Sequence, residues 1–142
     1  MINTDITLNE LNTMGKGTMG EHLGMEFIAV EEDKIVATMP VDHRTVQPYG
    51  LLHGGASVAL AETLGSVAAH LSVDSSKYQT VGLEINANHI RSVRSGKVTG
   101  TATPVHIGKS THVWAINIVD ERGKLVCTSR ITMAIIKKLN ND

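Results

Sequence analysis

Apolar and polar positions along the chain change period three times. The first two dozen residues carry two short helical signals. Thr7-x-x-Glu10 and Thr18-x-x-Glu21 are capping-box spacings, with Gly15 and Gly24 as the matching stops. A period of two follows: Met25 to Val30 and Lys34 to Pro40 flank the polar turn Glu31-Glu32-Asp33 and predict a hairpin. An irregular loop from Asp42 to Leu52 leads into a long apolar run, predicted as a helix from about His53 to about Val73 and roughly 30 Å long. Beyond Asp74-Ser-Ser-Lys the chain alternates again. Gln79–Arg91, Lys97–Ile107, Thr111–Val119 and Lys124–Ile136 read as strands, separated by gaps that suit antiparallel hairpins and not parallel crossovers.

One long helix therefore stands opposite about six strands of a continuous meander. This predicts a single α+β domain over residues 1–142, with no linker, repeat or low-complexity segment. The helix is apolar nearly all round and needs cover on most sides. A strongly curved antiparallel sheet wrapped around it provides that cover. Gly54, Gly55, Ala56, Ala59, Ala61, Gly65 and Ala68 permit close approach, and the sides a sheet leaves open point to a second subunit.

Charge changes the picture at one place. Between Arg44 and Asp74 the only Asp, Glu, Lys or Arg is Glu62, with His53, His70 and the phenol of Tyr49 the only other titratable groups. Glutamate is rarely buried without a partner, so a lone carboxylate in an apolar helix marks either a packing accident or a working site. Elsewhere composition mainly excludes. A net charge of −1 leaves no basic excess for a nucleic-acid backbone, and only Phe27, Tyr49, Tyr78 and Trp114 are aromatic. The lone Cys127 forms no intramolecular disulfide and reads as a small hydrophobe in a strand, fitting a reducing compartment. The first residues carry no basic and apolar signal pattern, so a soluble, cytoplasmic chain is expected. The seven histidines show no HxxxH or HExxH spacing, so no metal or other cofactor is expected.

The residues around Glu62 supply parts for acyl transfer to water. On a helix Glu62 shares its face with Val58, Ser66 and Ala69, and Ser66 at i+4 can hydrogen-bond the carboxylate or a water it holds. His53, Gly54 and Gly55 fall at the helix start, where N–H groups lack partners and the dipole is positive, a setting for developing negative charge on a carbonyl oxygen. Gln47 adds a neutral amide donor. Yet Glu62 lies about 12 Å along the axis from Gly54, so one helix cannot bring both to one carbonyl. Two antiparallel helices across a dimer interface can. Each part also has a plainer role: the glycines can ease a turn, Ser66 can bond its i−4 carbonyl, and Glu62 can be an ordinary surface residue.

The pattern Gln47-x-x-Gly50-x-x-His53-Gly54-Gly55, then Glu62-x-x-Gly65-Ser66, resembles the signature of hotdog-fold acyl-CoA thioesterases of the phenylacetate-pathway and 4-hydroxybenzoyl-CoA subgroup. The similarity extends through Ala37–Asp42 and Val81–Ser92. It is closer still to hydrolases of 1,4-dihydroxy-2-naphthoyl-CoA in menaquinone synthesis and to relatives that clear mischarged carrier proteins. The resemblance implies Glu62 as nucleophile or general base and Gly54 as oxyanion donor. It implies Gln47 and His53 as polarising groups and Ser66 as the holder of the water. It also implies that Gly82, His89, Ile90, Arg91 and Ser92, with His106, Ile107, Gly108, Lys109, Ser110 and Thr111, meet coenzyme A. The partners implied are an acyl-CoA, with an acyl carrier protein as alternative donor, and further copies of the chain in a dimer-built tetramer.

Arg91, Arg94 and Lys97 cluster at a strand end, and Lys109 sits in the next turn; by themselves they read as a solvated strand end, and with the resemblance they suit coenzyme A phosphates. A hotdog dehydratase pairs a histidine with its acid, whereas Glu62 with Gln47 favours hydrolysis. A non-catalytic acyl-CoA-binding module needs neither Glu62 nor Ser66. An α/β-hydrolase is excluded by the absence of Gly-x-Ser-x-Gly and by length. Met19, Met25, Val58 and Leu64 are expected to line an apolar acyl pocket.

Overall fold

A computed structural model describes residues 1–139. Two short helices, α1 (Leu8–Met14) and α2 (Met19–His22), precede the hairpin β1 (Glu26–Glu31) and β2 (Lys34–Pro40). The long helix α3 (Gly54–His70) follows, then β3 (Tyr78–His89), β4 (Lys97–Ile107), β5 (Thr111–Val119) and β6 (Leu125–Lys137). The Thr7 capping box forms as its spacing predicts, with Glu10 N–H on Thr7 Oγ1 at 3.1 Å and Thr7 N–H on Glu10 Oε2 at 2.8 Å. The second one does not. Thr18 donates its hydroxyl to the Gly15 carbonyl at 2.6 Å, and Glu21 accepts from the Gly17 N–H instead. In a helix of four residues the first turn is also the last, so the reciprocal geometry has no room.

The six strands form one antiparallel sheet in the order β1-β2-β4-β5-β6-β3. This corrects the expected meander. After α3 the chain enters the sheet at its far edge, where β3 pairs with β6, and then returns to lay β4 beside β2. The link from Ile90 to Gly96 makes that return. Seven extended residues span up to roughly 25 Å, while three strand spacings need only roughly 14 Å. A short gap thus does not guarantee a hairpin. The link is stitched down by Ile90 N–H to Val126 O, Leu52 N–H to Val93 O and Val41 N–H to Gly96 O, each 2.8 Å.

The concave face of the sheet encloses α3. Ile35, Ala37 and Met39 of β2 and His112, Trp114, Ile116 and Ile118 of β5 alternate inward and are buried. Cys127 is buried too; desolvation raises its thiol pKa, in keeping with its reading as a hydrophobe. Burial, and then the charges of His106 and the N-terminal amine, lower the pKa of His112 and favour its neutral form. Small residues set the helix-to-sheet distance. A Cβ on Gly100 would stand 2.6 Å from Leu64 Cδ1, and Gly65 packs directly against Ile131 Cγ2. Gly65→Ala regains about 1 kcal/mol of helix propensity but drives a methyl into a buried, β-branched neighbour, a strain of about 1–3 kcal/mol. A lower melting temperature is the expected result; a raised one would mean the sheet can retreat.

Cover is one-sided. Ala56, Ser57, Leu60, Ala61, Leu64, Gly65, Ala68 and Ala69 are buried, whereas Gly55 and Glu62 are exposed and Ala59, Thr63 and Ser66 half-buried. Glu62 is therefore not a buried charge within one chain, contrary to its apolar context in the sequence. No described helix is long and apolar enough to cross a membrane.

Candidate active site

The loop before α3 is pinned at many points. Arg44 holds Asp42 through bonds of 2.7–3.2 Å, and chiefly for that reason the Asp42 carboxyl is pulled down to about 2. Thr45 donates its hydroxyl to Pro40 O at 2.7 Å, His53 N–H reaches Thr45 O at 2.8 Å, and Val46 bridges Leu52. Gly50, at φ 76°, closes the turn Gln47–Gly50 in a conformation that favours glycine. Gln47 is thereby fixed beside the start of α3. Its Oε1 accepts from Tyr49 N–H, which leaves the NH₂ as the free end of the amide.

At the start of α3 the orphan donors are nearly all used. His53 caps the helix: its Nδ1 accepts from Gly55 N–H at 2.8 Å, and its carbonyl accepts from Ala56 and Ser57 at 3.0 and 3.2 Å. An acceptor Nδ1 places the proton of the neutral ring on Nε2. The Gly54 N–H is left without an acceptor among the described residues. It borders a cleft of about 330 Å³ that Gln47, Ser57, His89, Arg91 and Ser92 also line.

Glu62 and Ser66 are not in that cleft. The Glu62 carboxylate lies toward β3, where a Cβ on Gly82 would stand 3.4 Å from Oε1. Ser66 directs its hydroxyl at Met133 Sδ, 3.9 Å away, and not at its i−4 carbonyl. Gly82, Met133 and His112 are consecutive partners across β3, β6 and β5, so Glu62 and Ser66 stand over one row of the sheet. The turn from His106 to Thr111 joins this end, because Thr111 pairs with Ala134. His89 pairs with Cys127 at the other end, seven residues along β3 and roughly 23 Å from Gly82.

Each chain thus carries two separate clusters of the residues that the sequence singles out. One gathers Gln47, His53, Gly54 and His89 to Ser92; the other gathers Glu62, Ser66, Gly82 and the His106–Thr111 turn. Sequence reasoning separated Gly54 from Glu62 but had no signal that the two proposed coenzyme A segments also part company.

A further cavity of about 680 Å³ lies between the N-terminal helices and α3. Leu11, Met14, Met19, Met25, Thr63 and Val67 are among its walls. Of the four expected pocket residues, Met19 and Met25 take part. Leu64 is fully buried against Gly100, and Val58 lies outside the lining. Among the described residues no cluster of three or more His, Cys, Asp or Glu is placed to hold a metal ion.

The profile of the thioesterase superfamily matches residues 49–127, the segment from Tyr49 through α3 and β3 to Cys127 of β6. The chain belongs to the thioesterase superfamily. Among its relatives, the 1,4-dihydroxy-2-naphthoyl-CoA hydrolase of Escherichia coli is 54% identical over 131 residues, covering 92% of this chain and 96% of that enzyme. The proofreading thioesterase EntH of Cronobacter turicensis is 50% identical over 131 residues, covering 92% of this chain and 95% of that one. The crystal structure of a mutant thioesterase from Pseudomonas aeruginosa superposes with a TM-score of 0.94 at 49% identity, covering 96% of this chain and 99% of the other. The curved sheet around one helix is the hotdog fold of this superfamily, and the protein is a thioester hydrolase.

Proposed function

We propose that this thioesterase hydrolyses an aromatic acyl-CoA, with 1,4-dihydroxy-2-naphthoyl-CoA as the assigned substrate, at a site assembled from two chains. The observation that carries the two-chain reading is the split of the acyl-transfer groups between opposite ends of β3. That strand is an edge, twelve residues long, with Val81 40% and Leu83 61% exposed. A long, open, apolar edge is a template for another strand. Antiparallel pairing of β3 with its copy, centred between Ile85 and Asn86, sets Gly82 opposite His89 of the second copy. The Glu62 half-site of one chain then faces the Gly54 half-site of the other.

In that arrangement the thioester oxygen accepts from Gly54 N–H, helped by the Gln47 amide and the His53 Nε2–H. Glu62 of the opposing chain attacks the carbonyl or activates a water that Ser66 orients. Residues His89 to Ser92 follow the coenzyme A arm, and Arg91, Arg94 and Lys97 take its phosphates. The methionine-walled cavity begins at Thr63, one residue from Glu62, and suits a flat two-ring acyl group because methionine adapts to irregular shapes. A tetramer built from two such dimers is the assembly proposed.

The substrate assignment rests on the Escherichia coli relative; the EntH relative supports a second reading, an acyl group borne on a carrier protein. A steady-state survey separates them. Aromatic CoA thioesters are expected to give the highest kcat/KM, with naphthoyl and benzoyl groups ahead of long aliphatic chains. Activity confined to long aliphatic chains would overturn the aromatic assignment, and a large preference for the same acyl group on a carrier protein would favour the second reading.

A further inference from the structure

Strand β3 ends with the imidazole of His89 set against the first residue of α3. A Cβ on Gly54 would stand 2.8 Å from His89 Nε2, 3.0 Å from Cε1 and 3.2 Å from Cδ2, so the Nε2 corner of the ring is the part that faces the helix start. No hydrogen bond among the described residues engages either ring nitrogen. Glycine at position 54 is thus the residue that lets an unengaged ring nitrogen come up beside a free backbone donor.

A thioester whose oxygen rests on Gly54 N–H has its sulfur two bonds from that oxygen, and the coenzyme A arm leaves along His89 to Ser92. Histidine is the side chain that exchanges a proton near neutral pH. We propose that His89 is the general acid that protonates the departing thiolate, a role that rests on the two-chain thioesterase reading above. In the general-base form of the reaction, water adds to the carbonyl carbon, its proton passes to Glu62, and the C=O electron pair moves onto the oxygen held at Gly54. As the pair returns, the C–S bond breaks, sulfur takes its electrons, and the imidazolium Nε2–H is transferred to it. Glu62 then gives its proton to solvent, and His89 takes one back. If Glu62 is instead the nucleophile, its oxygen bonds the carbonyl carbon, the same proton transfer accompanies loss of the thiol, and water then cleaves the resulting anhydride to the acid and free Glu62. The products are one carboxylic acid and one thiol in either case.

The test compares one benzoyl group on two leaving groups, N-acetylcysteamine and thiophenol. Neither carries a phosphate, so loss of coenzyme A contacts cannot enter. An alkyl thiolate is a strong enough base to need a proton as it leaves, whereas thiophenolate is a much weaker one. His89→Ala is expected to lower kcat for the alkyl thioester about a hundredfold, the low end for general acid catalysis, and for the thiophenyl ester less than about threefold. Gly54→Ala keeps the N–H but places a methyl against the ring, and is expected to reproduce the same selectivity. Equal losses on both leaving groups in both variants would overturn the proposal and leave His89 a binding residue. Glu62→Gln serves as the reference. If it abolishes turnover of both esters, a failure at His89 concerns the acid alone; if it does not, the underlying site reading has failed.

Discussion

Glu62→Gln is expected to lower kcat by about a hundredfold or more while KM and melting temperature stay near their original values. The carboxylate is the only acidic side chain between Arg44 and Asp74, and it stands over the row Gly82–Met133–His112 with Ser66 one turn away. Glutamine keeps the shape and the hydrogen-bonding oxygen but neither attacks a thioester nor accepts a proton from water. Losses of that size are usual when a positioned base is removed. Within the chain the carboxylate is exposed, and exposed substitutions shift folding by about 0.5 kcal/mol or less. For an ordinary surface glutamate, turnover would not change. Stopped assays on one purified variant, read beside its thermal unfolding, decide between the two, and near-normal kcat would end the mechanism.

Mixing two dead chains is expected to restore activity. A Glu62→Ala chain retains Gln47 and Gly54; a Gln47→Ala chain retains Glu62 and Ser66. In a two-fold pair each site takes one half from each chain, so a mixed pair has one site with both lesions and one with neither. Its activity should approach about half that of an unmodified pair, whereas either variant alone stays inactive. The experiment needs co-expression with two affinity tags, so that only mixed pairs are assayed. Verified mixed pairs without activity would place all catalytic groups within one chain, against the separation along β3.

Much of this was legible in the residues, and what was not has physical reasons. The start of α3 and all six strands follow from periodicity and turn residues, because those signals are local, whereas the helix ends at His70, three residues before the expected Val73. Strand order does not: whether β3 pairs with β4 or β6 depends on how the sheet curls around α3, and no residue between Ile90 and Gly96 announces it. The motif from Gln47 to Ser66 picks out residues that the fold sets in two separate clusters, and its helix start and i+4 pair are read directly from spacing. The exposure of Glu62 was not readable, because uncharged neighbours on a helix look alike whether a sheet or nothing covers them. The approach of His89 to Gly54 joins residues far apart in the chain, and only the return of β3 beneath the helix start creates it.

The opposite edge of the sheet carries a different instruction. Asn12, on α1, turns its side-chain amide to β1 and bonds both backbone groups of Phe27, accepting from its N–H at 2.8 Å and donating to its carbonyl at 3.0 Å. One amide thus imitates the next strand and fills the rung that a neighbour would need. A sheet with two open margins has a valence of two and can polymerise into an endless ribbon. At Phe27 the β1 margin is occupied, which leaves the twelve-residue β3 as the more open of the two. If pairing runs through β3 as proposed, an asparagine far from the chemistry helps growth to end at a pair, the difference between a finite enzyme and a fibre.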